Sequence, residues 1–332
     1  MQARSDATGI RPLQVAAGVI KNAQGQILIA LRHAKSHQGG LWEFPGGKIE
    51  SGETPEQALK RELKEELDIS VAKAKPLISV SYQYPELLVQ LHVFLVEDFS
   101  GQVKSGEGQP ILWVMAEDLP RYAFPAANQP IIKAAQLPAH YAILDDADSD
   151  QLWANLLKIL NSDVKLIQAR LKRLTQEAVH DFLIRAYPLC KRNNAILLVN
   201  SAVKLADLNA VHDINSVDRG GYELLADGIH MTSAHLWACT RRPKNIRWLA
   251  ASCHTREELQ QAEKIGADFA VLAPVLATST HPETEPLGWE RFRQLVLDVN
   301  LPVYALGGMT QDCLSAAQHA GGQGIAGISA FL

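Results

Sequence analysis

Three glutamates, Glu62, Glu65 and Glu66, stand at spacing i, i+3, i+4 in the run Arg61-Glu62-Leu63-Lys64-Glu65-Glu66-Leu67. At about 3.6 residues per turn a helix gathers them on one face, beside the stripe Leu59, Leu63 and Leu67, while Lys60, Arg61 and Lys64 fall on the far side. A solvated surface helix gains from interleaved Glu and Lys. Three carboxylates set against apolar residues repel one another and resist desolvation unless a cation neutralises them. Oxygen donors of this kind suit Mg²⁺ or Mn²⁺. The competing reading is an ordinary solvated charge run.

The helix start is well marked. Thr54 is a suitable N-cap, Pro55 suits the first helical position, and Gln57 completes a capping box, so the loop containing Gly46-Gly47 is fixed against a defined helix end. Before it, Leu13–Ile20 and Ile27–Leu31 read as a strand hairpin. After it, Leu77–Tyr84 and Leu87–Val96 read as strands around Pro85-Glu86, followed by a strand at Trp113-Val114 and a short helix over Pro130–Ala135. Mixed strands with one or two helices give an α+β sandwich over residues 1–135.

Residues 136–139 read as a linker, because Pro138 ends a helical pattern and a new rhythm begins at 140. Short strands are expected at Tyr141–Leu144, Lys165–Gln168, Ile196–Val199, Gly228–His230, Trp248–Ala251, Phe269–Ala273, Val303–Leu306 and Gly324–Ile328. Helices fall between most of them, among them Asp150–Leu160, Thr175–Cys190, Arg256–Ile265, Glu290–Asp298 and Gln311–Ala320. Eight strands in about 190 residues fit an α/β TIM barrel over 140–332 better than an open sheet.

Composition narrows the classes. A chain of 332 residues favours two domains, and 47% hydrophobic with 20% charged residues is a globular balance. A net charge of −4 gives no footprint for a nucleic-acid polymer. The four cysteines, Cys190, Cys239, Cys253 and Cys313, form no C-x-x-C pair, which argues against zinc or redox motifs. Met1–Arg11 is polar, and no run reaches the roughly 18 apolar residues of a membrane helix. A cytoplasmic protein without a membrane partner is expected; its oligomeric state is left open.

Gly47, five residues to Glu53, then seven to Arg61-Glu62-Leu63-x-Glu65-Glu66, ending at Ile69, resembles the signature box of Nudix hydrolases. Asp68 stands where that family usually has Gly; Asp can adopt a left-handed backbone at a helix end at some cost. Leu41-Trp42-Glu43-Phe44-Pro45, Ser105-Gly106-Glu107-Gly108-Gln109-Pro110 and Phe124-Pro125-Ala126-Ala127-Asn128 are similar to segments of the MutT group, which sanitises oxidised guanine nucleotides. The resemblance implies that Glu62, Glu65, Glu66, Glu107 and the carbonyl of Gly46 hold Mg²⁺ or Mn²⁺, with Glu62 or Glu107 as general base. It implies that Arg61 orients the loop or pairs with Glu53, and that Arg32 contacts phosphates unless it is an ordinary strand-end charge. Phe44 and Tyr84 are wall or stacking candidates, or plain core. Oxidation at C8 turns guanine N7 from acceptor to donor beside O6, and one amide can answer both, so Asn128 is the candidate reader; a turn-forming Asn is the alternative.

Gln168-Ala169-Arg170-x-Lys172, Ala226-Asp227-Gly228-Ile229-His230, Ala251-Ser252-Cys253-His254, Gly266-Ala267-Asp268-Phe269, Pro274 with Thr278-Ser279-Thr280, and Ala305-Leu306-Gly307-Gly308-Met309 resemble the thiamine-phosphate synthase and TenI family of TIM barrels. By that resemblance Gly307, Gly308 and Ser329 would grip a phosphorylated ligand, and His254 matches a tautomerase histidine. Charges that the synthases carry are absent at Asn200-Ser201-Ala202 and Thr232-Ser233-Ala234, and His281 replaces a usual Lys. The barrel is therefore expected to be degenerate and to make no thiamine phosphate.

The leading expectation is a Mg²⁺-dependent diphosphatase converting 8-oxo-dGTP to monophosphate and pyrophosphate. Hydrolysis of a thiamine-related diphosphate, and a non-catalytic ligand-sensing module, are the alternatives.

Overall fold

Alternation along β1 (Leu13–Ile20) decides the layering of the first unit: Ala16 and Ile20 join one core, Ala17 and Val19 the opposite one. A computed structural model describes residues 12–34, 37–106, 108–203, 225–278 and 283–332, and the chain divides into units Met1–Gln136 and Leu137–Leu332.

In the first unit β1 lies between β4 (Gly46–Lys48) and β6 (Leu88–Ser100), with β5 (Ser70–Gln83) outermost; β1 and β6 run parallel and the other pairs antiparallel. A second sheet sets β2 (Gln26–Leu31) between β3 (Trp42–Glu43) and β7 (Ile111–Met115). Helix α1 (Pro55–Leu67) buries Ala58, Leu59, Leu63 and Leu67 in one core, and α2 (Gln129–Gln136) buries Ile131, Ile132 and Ala134 in the other. The capping box of α1 is complete.

Three features of the first unit differ from the sequence expectation. The hairpin expected from Leu13–Ile20 and Ile27–Leu31 is not formed as a ladder: β1 and β2 belong to different sheets, and an isolated antiparallel bridge joins Lys21 to Ile27. The strand expected at Leu77–Tyr84 begins at Ser70, directly after α1; register shifts near Val71, Lys73 and Pro76 break the alternation that would have revealed it. Tyr84 falls outside that strand, in the turn where its N–H and C=O pair with Leu87 at 2.8 and 3.3 Å. The Gly46-Gly47 loop contains the short strand β4, in register Ala17 with Gly46. Asp68 takes φ 57°, caps α1 through its N–H, and places its carboxylate 2.5 Å from Lys64 Nζ, which holds its pKa below the usual carboxylate range. Its short polar side chain is what lets a residue other than Gly stand there.

The second unit is a closed barrel of eight parallel strands: β8 (His140–Asp145), β9 (Leu166–Arg170), β10 (Ile196–Asn200), β11 (Gly228–Met231), β12 (Trp248–Cys253), β13 (Phe269–Leu272), β14 (Val303–Ala305) and β15 (Gly324–Gly327), with β15 closing on β8. Tyr141, Leu166, Leu198, Phe269 and Tyr304 fill its interior. Around it lie α3 (Ser149–Asn161), α4 (Gln176–Arg192), α5 (Ser233–Ala238), α6 (Arg256–Lys264), α7 (Gly288–Val296) and α8 (Leu314–His319). The helix expected over Gln311–Ala320 is a 3-10 turn, Gln311–Cys313, leading into α8, and the six-residue α5 had too short a pattern to be seen. No helix among the described residues is long and apolar enough to cross a membrane.

Candidate active site

Helix α1 and strand β4 bring the acidic face and the glycine segment together. Glu66 Oε2 accepts the Gly46 N–H at 3.2 Å. A Cβ on Gly47 would stand 2.2 Å from Glu62 Cδ, so the Glu62 carboxylate rests on bare backbone at Gly47 and any side chain there would displace it. Arg61 ties the rest. Its Nε and Nη2 grip Glu53 at 2.8 and 2.9 Å, its Nη1 reaches Glu62 at 2.9 Å and Glu65 at 3.4 Å, and Nη2 also donates to the Lys48 carbonyl at 3.0 Å. This forked guanidinium sets helix, strand and loop in one frame.

The Arg61 hydrogen bonds, with a backbone N–H of Glu50, draw the Glu53 carboxyl down to about 2, and the same contacts hold Arg61 firmly protonated. A carboxyl pulled below its unfolded value keeps its tie above the ordinary carboxylate range and loses it only as pH falls towards the folded value. A carbon-detected NMR titration is therefore expected to give Glu53 a midpoint near 2; a midpoint near the ordinary value of about 4 would contradict the forked tie.

Glu107 lies outside the described residues. Its neighbour Gly106 donates to the Glu66 carbonyl at 2.7 Å, so this segment docks on the C-terminal turns of α1. Among the described residues no three acids, histidines or cysteines already form a closed ligand set. The residues present nevertheless suit a divalent ion: their donors are all oxygen, and the glycine cradle holds Glu62 against the β4 backbone.

The other candidates lie at the opposite core. Phe44 is buried and stacks on Phe124 at 5.3 Å. Tyr84 is also buried and packs against Tyr82 and His37; the Ala127 backbone bonds its phenol, whose acidity burial weakens. Asn128 ends the 3-10 turn Ala126–Asn128, half-buried, and its side-chain amide makes no hydrogen bond among the described residues. Arg32 pairs with Glu43 and donates from Nε to the His37 carbonyl at 2.9 Å.

In the barrel, Gly307 and Gly308 follow β14 with φ of 94° and 65°, and Ser329 opens the turn after β15. His254 follows β12; its Nδ1 bonds the Ala273 carbonyl at 2.8 Å and its ring is exposed. Ser279, Thr280 and His281 lie outside the described residues. Sequence reasoning missed a buried polar chain inside the barrel: Asn200 Nδ2 donates to Gln168 Oε1, Gln168 Nε2 to the Tyr141 hydroxyl, and His230 bonds Tyr141 through Nδ1 and Ser252 through Nε2, all within 2.8–3.0 Å. Burial, reinforced by Lys172 and Arg170, pushes His230 down to about 3, so it is neutral. Polar Gln168 and His230 in otherwise apolar strands were the available signal. Ser201, which the sequence marked only as a departure, bonds His235 Nδ1 at 2.6 Å, a histidine that no motif singled out.

A family model described as NUDIX domain matches residues 16–134, and one described as Thiamine monophosphate synthase matches 140–331. An 8-oxo-dGTP diphosphatase of Escherichia coli K12 is 42% identical over 37% of this chain and 95% of its own length. A CTP pyrophosphohydrolase of the same strain is 37% identical over 38% of this chain and 92% of its own. A protein of Aquifex aeolicus provisionally named thiamine-phosphate synthase 2 is 33% identical over 59% of this chain and 99% of its own. With matches of this extent to both halves, the chain belongs to the Nudix hydrolases through its first unit and to the thiamine monophosphate synthase family through its second.

Proposed function

We propose that the first unit hydrolyses nucleoside triphosphates to monophosphate and pyrophosphate with a divalent metal, preferring 8-oxo-dGTP. The observation that carries this reading is the Glu62, Glu65 and Glu66 face locked to β4 by Arg61 and by the bare backbone of Gly47. Glu62, Glu65, Glu66, Glu107 and the Gly46 carbonyl would hold Mg²⁺ or Mn²⁺. When bound, such an ion neutralises charge on the phosphates and makes water more acidic. Glu62 or Glu107 takes the proton of the attacking water, and Arg61 keeps Glu62 oriented while Glu53 fixes Arg61. Arg32 reaches the phosphates by exchanging its pairing with Glu43.

Asn128 supplies the specificity. Its amide accepts from the N7–H of the oxidised base and donates to O6, with Tyr84 and Phe44 as wall candidates. Asn128→Ala is expected to lower discrimination between 8-oxo-dGTP and dGTP by about 10- to 100-fold, the range of one bidentate contact. Equal discrimination in the variant would remove Asn128 from base recognition. The reaction class is tested by a panel of 8-oxo-dGTP, dGTP, CTP and thiamine diphosphate with pyrophosphate and phosphate release measured: fastest turnover of thiamine diphosphate would replace the nucleotide reading, and no turnover of any would replace hydrolysis by ligand sensing.

For the second unit the reading is a barrel that binds a small phosphorylated ligand at Gly307, Gly308 and Ser329, with His254 as a candidate proton carrier, and that makes no thiamine phosphate. The lack of any carboxylate or guanidinium in Asn200-Ser201-Ala202 supports this, since a departing pyrophosphate needs positive charge or metal beside it. The gene is expected not to rescue a thiamine-phosphate-synthase-deficient strain; growth without thiamine would overturn the reading.

A further inference from the structure

The loop between α5 and β12 lies on the face of the barrel opposite its C-terminal mouth. It reads Arg241-Arg242-Pro243-Lys244-Asn245-Ile246-Arg247, a run of cations with no acid among them. Arg242 is its clasp. Nη1 donates to the Gly266 carbonyl, while Nη2 donates to the carbonyls of Ile246 and Arg247, both at 3.2 Å, and to Asp268 at 2.7 Å. Those bonds close residues 242–247 into a ring that holds its shape before any ligand arrives, and Asn245 turns it with φ 61°. The same residues line a cavity of about 650 Å³. The protein leaves much of the loop's charge unanswered. Asp268 is engaged by Arg242 and by the Leu249 N–H at 2.7 Å. Asp227 accepts from Lys191 Nζ at 2.9 Å and from the Leu197 N–H at 3.0 Å, which leaves Arg247 4.0 Å away. Among the described residues the Lys244 ammonium has no hydrogen-bond or ion-pair partner, and the N–H groups of Lys244, Asn245 and Arg247 donate to nothing. Exposed cations crowded without acids repel one another, and unpaired N–H groups in a turn form a concavity that takes an oxyanion.

We propose that the loop 242–247 is a binding site for a diphosphate group. Lys244 meets one phosphate as a point charge, the Arg247 guanidinium meets the other with its forked donors, and the Asn245 N–H between them donates to the oxygens they share. A single phosphate answers only one of the two cations, whereas a diphosphate carries charge for both. The site does not rest on the reading of Gly307, Gly308 and Ser329, which follow β14 and β15 at the other end of the barrel.

The test is an NMR titration of the isotope-labelled full chain with pyrophosphate, inorganic phosphate or sulfate, at constant ionic strength and without divalent metal, following the amide signals of Lys244, Asn245 and Arg247. Pyrophosphate is expected to shift them saturably with a Kd below about 1 mM, and inorganic phosphate and sulfate to bind at least about 10-fold more weakly. The double variant Lys244→Ala with Arg247→Ala, at two exposed positions, is expected to raise the pyrophosphate Kd at least about 10-fold while the signals of the barrel core stay in place. No saturable shift, or an unchanged Kd in the double variant, overturns the proposal. Equal affinity for sulfate or inorganic phosphate means counter-ion screening only and overturns it as well. The Gly307 and Gly308 amides report on the mouth in the same spectra, so the two ends of the barrel are read separately.

Discussion

Glu66→Gln is expected to lower kcat on the order of 10³-fold while leaving the fold intact, because the loss of one charged oxygen from a phosphate-handling metal site is worth several kcal/mol of transition-state stabilisation. The substitution isolates charge from shape. A glutamine oxygen can still accept the Gly46 N–H that Glu66 Oε2 accepts at 3.2 Å, so the contact between α1 and β4 survives. Steady-state kinetics beside thermal unfolding checks both halves. A variant that unfolds at the wild-type temperature and retains more than about a tenth of kcat would contradict a metal role for this face.

Gly47→Ala is expected to cost about 100-fold in kcat with a smaller change in KM, as a misplacement near 1 Å does when it disturbs a reacting group. The reason is space. Its Cβ would lie 2.2 Å from Glu62 Cδ and 2.4 Å from both carboxylate oxygens, so the carboxylate must leave its seat on β4. Since Glu62 also bonds Arg61, the displacement would spread to the grip on Glu53. Kinetics of the variant at saturating metal reads the effect, and wild-type kcat would show that Glu62 does not work from this position.

The sequence made the frame of this site legible because its signals are local. A capping box, a leucine stripe and three acids at helical spacing specify α1 without reference to the rest of the chain. The barrel was readable from short apolar runs separated by amphipathic segments, which is how a parallel sheet buried on both faces must look. What escaped depends on contacts between distant residues. Gly47 stands out as the first residue of the box, but the Glu62 carboxylate resting on it is a contact that no local pattern announces. The chain from Asn200 to Ser252 joins five strands, and no local pattern announces such a partnership.

The most direct measurement is the ratio of kcat/KM for 8-oxo-dGTP to that for dGTP on the purified full chain with Mg²⁺, products separated by chromatography. A ratio above about 10, equivalent to at least 1.4 kcal/mol of discrimination, with monophosphate and pyrophosphate released in equal amounts, is expected. A ratio near one, or release of single phosphates, would contradict it.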